Sequence, residues 1–542
     1  MKFQSYIVAF ACVVILGSCK KDFLQRDPGV PVDYEKLFND PQLAAGFGDN
    51  SYNFLLDDYA RLSTQNGMTG QFSDESISNT GDQVVNLINT GRHLNAGATD
   101  VASVYSQMYR GIRNANVMLA NIGRVPWTAV YNPGYIRGEQ LFLRAFFYYE
   151  LMKRFGGVVL LDRAQTVPES GQDLPRATYA ETLAFVLKDL NEAASLLPED
   201  WTGAHYGRAT KGAALALKAR ALLHAASPLH NPSGDAAKWR TAADAAKAVM
   251  DMNKYSLEPN YGDVLVQATS PEYIMIDIKT PRGWVGYINN FIAPTSYGGA
   301  QSLISPTQNH VDLYEMSNGK PITDPTSGYN PQHPYLNRDP RFYTNIIYND
   351  QTWQGRKVQT FVGGTDYSAT SNIFTKTSYY VKRLWPEQVR NTGGGTGLVN
   401  FIFFRYAEVL LNYAEALNEA EGPTAAVHNA VNAVRTRAGI TALPTTLSKD
   451  AMRERIRNER AVEFAFEEMR WWDILRWKKG VELVAQPMKG MQITRTGTTF
   501  TYTPVVLAAN YQKVFEEYMH LYPIPAAEIY KSPGALKQNP GW

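Results

Sequence analysis

Cysteine is almost absent from this chain: of 542 residues, only Cys12 and Cys19 carry a thiol. Both stand near the N-terminus, so the body of the protein has no disulfide, no cysteine metal site and no cysteine nucleophile. Charge of one sign is lacking as well, with 53 basic side chains against 51 acidic ones. That balance excludes the electrostatic footprint of a nucleic-acid binder and offers no polybasic run for anionic lipid. The eight histidines form no pair at i, i+4 and no His-Glu-x-x-His, which removes the usual zinc signatures. The glycines at Gly393 to Gly395 lack the Lys-Ser/Thr of a phosphate loop, and no Gly-x-Ser-x-Gly elbow exists. Scattered Asp and Asn oxygens show no EF-hand spacing, so a structural calcium has no motif behind it and no cofactor is expected.

Long hydrophobic runs are missing too, except for Tyr6 to Leu16. That run is too short for a bilayer span, which needs about twenty residues. With Lys2 ahead of it and small residues behind it, it reads as a secretory signal over residues 1–18. The stretch Leu16-Gly17-Ser18-Cys19 reads as a lipobox, so Cys19 is the expected lipidation site and first residue of the mature chain. Several acyl chains on that residue give stable anchoring where one gives only reversible binding.

What remains is ample for a large folded body. The chain is 44% hydrophobic and 12% aromatic, with ordinary charge content, and such a composition supports a core held by packing alone. Helical periodicity runs from Val101 to Leu257 and again from Phe401 to Lys479. Val101–Ile122 pairs with Tyr135–Phe155 across Pro126, Asn132, Pro133 and Gly134, and Thr178–Leu197 pairs with Thr210–Ala226 across Pro198 and Gly203. Ala236–Met252 follows. Phe401–Glu421 carries an i, i+3, i+4, i+7 apolar face through Phe403, Tyr406, Leu410 and Leu417. Gly422 and Pro423 stop it, and a second helix continues to Gly439. Helical hairpins recurring at a few tens of residues indicate a tetratricopeptide-like array.

From Pro259 to Val399 the helical period gives way to Gly, Pro, Asn, Thr and Tyr. A long irregular stretch inside a compact chain is usually functional, and this one is rich in aromatics, among them Trp284, Tyr287, Tyr297, Trp353 and Trp385. Rigid rings with a few polar groups hold ligands, and a sugar ring offers them an apolar face. The acidic and basic cluster of Arg457, Arg460, Glu463, Glu467, Glu468, Arg470, Asp473 and Arg476 reads as one helix with same-face ion pairs at i, i+3. Its expected role is structural, a clamp on an aromatic helix.

The blocks SCKKDFLQRDP (Ser18–Pro28), YRGIRNANVML (Tyr109–Leu119) and GEQLFLRAFFYYELMKRFGGVVLL (Gly138–Leu161) resemble the SusD/RagB-type nutrient-uptake lipoproteins. GRATKGAALALKARALLHAA (Gly207–Ala226), FRYAEVLLNYAEALNEA (Phe404–Ala420), AVNAVRTRAGI (Ala430–Ile440) and NERAVEFAFEEMRWWDILRW (Asn458–Trp477) do too, followed by YPIPAAEI (Tyr522–Ile529) and a terminal QNPGW. Val159 stands where proline is common in the family, and Tyr105 where tryptophan is. The resemblance implies a mostly α fold of about four tetratricopeptide-like units, with a loop-rich, aromatic-rich subdomain that carries the ligand. It divides the chain into 19–258, a loop-rich insertion 259–399 and a C-terminal region 400–542.

The resemblance also implies a non-enzymatic outer-membrane lipoprotein facing the cell exterior, which passes a glycan to a SusC-like TonB-dependent transporter. A RagB-like peptide binder is the alternative within the family, and a surface glycosidase the alternative of another class. Sites in such proteins come from the loop before the second helix and from the central insertion. Here those regions offer Asp74, Arg92 and Asn95, and Trp284, Tyr287, Tyr297 and Trp353.

Overall fold

The computed structural model describes residues 33–56, 59, 67–79, 83–92, 101–166, 169, 173–281, 292–297, 302–390, 395–532 and 534–542. Cys19, Asn95, Trp284 and Tyr287 lie outside the described residues.

The main helices, numbered in chain order, are α1 (Ala102–Asn121), α2 (Pro133–Phe155), α3 (Tyr179–Leu196), α4 (Lys211–Ala226), α5 (Ala236–Met250), α6 (Tyr406–Glu421), α7 (Ala425–Arg437), α8 (Lys449–Glu463) and α9 (Arg470–Arg476). Local sequence sets their ends. Asn132 caps α2 through Gly134 N and Tyr135 N, with Pro133 in the first turn where its missing N–H costs nothing. Thr178 and Glu181 form a reciprocal capping box on α3. Thr210, Thr424 and Ser448 cap α4, α7 and α8 with their hydroxyls.

These helices stack on their neighbours in sequence, α1 on α2, α3 on α4, α5 on α6 and α6 on α7, with α2 also against α3, α4 against α5 and α8 against α6. The array is mostly α and tetratricopeptide-like. Close approach is written into it: a Cβ on Gly111 of α1 would stand 2.6 Å from the Phe147 ring of α2. The alanines of α4 act likewise, and Ala213, Ala214, Ala216 and Ala221 are all buried. The pairing of α5 with α6 joins segments on either side of the central insertion, so the insertion leaves the array and the chain returns to the same stack.

The structure corrects the start of α6. Phe401–Arg405 is a strand, not the first turn of a helix, and it pairs antiparallel with Tyr273–Asp277. Aromatic residues in alternation suit a pleated surface, and the Tyr406 N–H is taken by the Glu272 carbonyl before the helix begins. With strands numbered in chain order, β1 is Ser76–Ser78, β2 Tyr273–Asp277, β3 Ile304–Pro306, β4 Phe401–Arg405, β5 Lys489–Thr496 and β6 Thr499–Val506. β5 and β6 form a hairpin that is not among the elements expected from the sequence.

The acidic and basic cluster is a second correction. It is not one helix: α8 ends at Glu463, and the chain turns through Phe466 and Glu468, both at positive φ (61° and 63°), before α9 starts. Arg460 consequently pairs not with Glu463 but with Asp473, at 2.8 Å, and with Asn412 Oδ1 at 2.7 Å. Arg470 pairs with Asp74 rather than Asp473. The Asp473–Arg476 pair at i, i+3 is present.

Two apolar clusters divide the interior. One is the helical core, rich in Phe, Tyr and Ala from α1 to α9. The other gathers Tyr314, Phe342, Trp353, Tyr379, Tyr380 and Trp385 of the insertion, with Phe466 of the turn between α8 and α9. Most insertion aromatics thus pack inward, which is their ordinary role.

Candidate functional site

The two regions expected to supply the site do meet. β1, in the loop ahead of α1, pairs with β3 of the insertion in the register Ser76↔Pro306, Ile77↔Ser305 and Ser78↔Ile304. Asn79 Nδ2 reinforces the join by donating to the Ser302 carbonyl at 2.6 Å and to Ser305 Oγ at 2.7 Å.

Asp74 belongs to the machinery that holds this loop. It is 2% exposed, and both carboxylate oxygens accept from Arg470, each at 2.8 Å. Burial opposes its ionisation, but the Arg470 guanidinium outweighs that and holds the carboxyl below its usual range. Next to it, Glu75 Oε1 accepts from the Phe466 N–H at 3.0 Å. Burial is the dominant influence there and pushes the Glu75 carboxyl up to about 8. Thr69 N–H donates to Glu468 Oε2 at 2.9 Å. Lys513 Nζ donates to the Ser73 and Ser76 carbonyls, and desolvation lowers it to about 7. Asp74 is therefore a buried, fold-holding residue with both oxygens engaged by Arg470.

Trp353, expected at a ligand surface, is instead 2% exposed. Its ring meets Trp385 edge-on at 5.3 Å, and Lys382 Nζ lies 4.8 Å above it. It supports the site from below. Its carbonyl accepts from Tyr297 Oη at 3.1 Å, and Tyr297 also packs edge-on against Trp385 at 5.8 Å.

Tyr297 is half-buried and stands at the rim of this second core. The Arg356 guanidinium stacks on its ring at 3.8 Å. Asp366 fixes that guanidinium through two hydrogen bonds of 2.7 and 2.8 Å, and Arg356 Nη2 also donates to Ser296 Oγ at 2.6 Å. The Asp366 side chain is fully buried while Arg356 keeps 34% of its side chain in solvent. Ser296 Oγ donates in turn to Asp366, and Arg356 Nη1 donates to the Lys357 carbonyl at 3.1 Å, so the result is a preoriented guanidinium and an exposed serine set beside an aromatic ring. That patch can stack the C–H face of a sugar ring and hydrogen-bond its hydroxyls.

Arg92 is exposed elsewhere on the loop, its Nε donating to Thr90 Oγ1 at 3.1 Å. No described contact joins it to Tyr297. Arg356, Asp366 and Ser296 are not among the residues expected from the sequence. Turns at Gly355 and Gly363, both at positive φ (86° and 87°), bring Arg356 and Asp366 together, but no spacing rule in one sequence pairs them. Among the described residues, no group of His, Asp and Glu side chains is arranged to hold a metal ion.

Three acids of the cluster around α8 and α9 are engaged in ion pairs. Glu463 accepts from Arg341, Arg405 and Arg437, Glu467 from Arg383 and Arg405, and Asp473 from Arg460 and Arg476. Burial opposes ionisation of Glu463, yet the three guanidiniums hold it at about 2.

Comparison with known proteins places these features in a family. A sequence model described as the SusD family matches residues 271–542, and one described as "Starch-binding associating with outer membrane" matches residues 31–223. SusD-like protein P38 of Formosa agariphila is 25% identical, over 90% of this chain and 94% of its own length. SusD-like protein P2 of the same organism is 24% identical, over 82% and 81%. Among solved structures, a SusD-like protein from Bacteroides fragilis superposes with a TM-score of 0.77 at 27% identity, covering 94% of this chain and 98% of its own. A second from that organism, described as a SusD-like carbohydrate binding protein, gives 0.76 at 23% identity over 92% and 100%.

Proposed function

The chain belongs to the SusD family, and on that premise we propose that it is a non-enzymatic, lipid-anchored protein of the outer membrane that binds a glycan and delivers it to a SusC-like TonB-dependent transporter. The observation that carries the reading is the Tyr297–Arg356–Asp366 patch, a preorganised stacking and hydrogen-bonding surface on the loop-rich part of a family fold. The descriptions of the matching family and of the Bacteroides fragilis carbohydrate binding protein support the same ligand class. We assign ligand capture to residues 259–399 and the scaffold role to the flanking helical regions. Asn95, Trp284 and Tyr287 are proposed as further contacts, with Arg92 at the edge of the same loop.

Cys19 anchors the mature protein in this reading. Among the described residues no helix is long and apolar enough to cross a membrane. Changing Cys19→Ala should move the protein from the membrane fraction to the soluble one without altering its melting temperature. A variant that stays with the membrane would overturn the anchor.

Isothermal titration against a panel of plant and host oligosaccharides tests the ligand class. Binding to at least one, weakened in Tyr297→Ala, is expected; no binding to any would overturn the glycan reading. Peptides co-purifying in native mass spectrometry would favour peptide capture instead. Release of reducing sugar by the purified protein would establish a glycosidase, against which the saturation of Glu463, Glu467 and Asp473 by arginines argues.

A further inference from the structure

Helices α1, α2 and α4, strand β4 and the start of α9 enclose a cavity of about 260 Å³ to which neither Tyr297 nor Arg356 contributes. Its apolar wall is built from Val104, Phe146, Tyr149, Phe403 and Met469, and ionisable side chains complete the lining. Ser103 at its edge is exposed, and Leu56, Gln107, Phe401 and Ile402 are half-buried, so the space reaches solvent between the start of α1 and β4.

The cations facing this space are already neutralised. Lys153 and Arg154 each bond Glu150, at 2.6 Å, and Arg220 bonds Glu408 at 2.6 Å. An anionic ligand would have to displace a carboxylate, and a cationic one would have to compete with the arginines on Glu467 and Asp473. Directional polar atoms nevertheless remain. Lys153 carries three N–H donors, of which Glu150 takes one. The Gln107 amide donates to the Phe54 carbonyl at 3.1 Å, and its oxygen accepts nothing among the described residues. A space of about 260 Å³ that opens to solvent has room for one hexose ring.

We propose that this cavity is a second saccharide site, separate from the surface patch, which takes a single neutral sugar ring between Phe146, Tyr149 and Phe403 and hydrogen-bonds it through Gln107 and Lys153. Aromatic walls interleaved with ion pairs, and with Glu468 engaged by the Thr69 N–H at 2.9 Å, select a solute that has C–H faces and many hydroxyls. Such a site would register free sugar next to a surface that holds the chain. The inference stands independently of the Tyr297 patch.

Saturation-transfer NMR on the full mature chain tests it, with methyl β-glucoside, methyl β-galactoside and N-acetylglucosamine as probes and galacturonate as the charged control. Transfer to the ring protons of at least one neutral sugar is expected in wild type and in Tyr297→Ala. Ser103→Trp, at an exposed helical position, fills the mouth and should weaken that sugar at least tenfold at unchanged melting temperature; Gln107→Trp repeats the test from the next turn. The proposal is overturned if no neutral sugar receives transfer, if both filled variants bind as wild type does, or if galacturonate binds more tightly. Loss of monosaccharide transfer in Tyr297→Ala would leave one surface site, overturning this inference while the surface reading stands.

Discussion

Two arginines show how differently the two parts of this protein use the same side chain. Arg405, at the end of β4, is buried and divides its guanidinium among Glu272, Glu463 and Glu467 at 2.6 to 2.8 Å. Arg356, on the rim of the insertion, has one carboxylate partner, Asp366, and keeps a third of its side chain in solvent. The first is consumed by the fold, because it ties β2, β4 and α8 where the helical array meets the insertion. The second is fixed in orientation and left with a face to offer. Buried, satisfied charge builds the frame, and partly exposed charge marks the proposed ligand face.

Breaking the frame should have the largest effect. Arg405→Met leaves Glu272, Glu463 and Glu467 short of a partner in a buried place, and removing one member of a buried ion pair costs about 3–5 kcal/mol. Chemical denaturation should show a loss of about 4 kcal/mol. A loss below about 1 kcal/mol, the level of an exposed pair, would mean that Arg437, Arg383 and Arg341 redistribute to cover the gap, and that the frame is less specific than its geometry implies.

A slightly smaller effect, and one that depends on pH, belongs to the clasp that holds the β1 loop on the frame. Glu75 titrates at about 8 in the folded protein against 4.5 as a free side chain. The groups around it are Glu468, Arg470 and Asp74, with Lys513 nearby. The folded state thus keeps a proton that the unfolded chain sheds. Stability from this group is fully present below pH 4.5 and is lost as pH rises to about 8, after which it is level. Glu75→Gln keeps the acceptor and cannot ionise. Its melting temperature should overtake that of wild type as pH goes from 5 to 9, by on the order of 3 kcal/mol in stability. Parallel curves would show that Glu75 is ionised throughout.

How much of this was legible in the sequence follows from the range of each interaction. The helix pairs were readable because caps such as Asn132-Pro133 and Thr178-x-x-Glu181 are local, and so is the 3.6-residue period. The FIFF of β4 reads as helix because its apolar positions also fit a helical face, and only the distant partner Tyr273–Asp277 settles the matter. The ionic cluster was recognised as structural, but its partners were not, since Arg460 reaches across a left-handed turn to Asp473 and Glu463 gathers arginines from three other segments. Within the expected site, composition drew notice to Trp353 and Tyr297 equally. Burial separates them, and burial depends on Trp385 and Lys382, which no spacing rule connects to either.

Breaking the offering face should spare the frame. Tyr297→Ala removes a stacking ring at the rim, and about tenfold loss of glycan affinity, near 1.4 kcal/mol, is expected with a melting temperature within a degree or two of wild type. Should stability fall as steeply as affinity, Tyr297 would belong with Trp353 among the packed residues, and the contrast between frame and face would fail at its most informative position.

The finest test is Arg356→Lys, which keeps the charge and the Asp366 attraction but loses the planar fork. A guanidinium presents two parallel N–H groups to a carboxylate and stacks on a ring, whereas an ammonium is a point donor. If the role of Arg356 is charge alone, lysine should bind glycan as well as arginine does. The geometry requires a difference, because Asp366 holds the guanidinium flat on Tyr297 at 3.8 Å while Ser296 accepts from its Nη2. Exposed cation–π contacts contribute about 0.5–1 kcal/mol, so lysine should weaken binding two- to fivefold with little change in stability. Equal affinity in titration would reduce Arg356 to a counterion of Asp366 and leave Tyr297 as the part of the patch that meets the sugar.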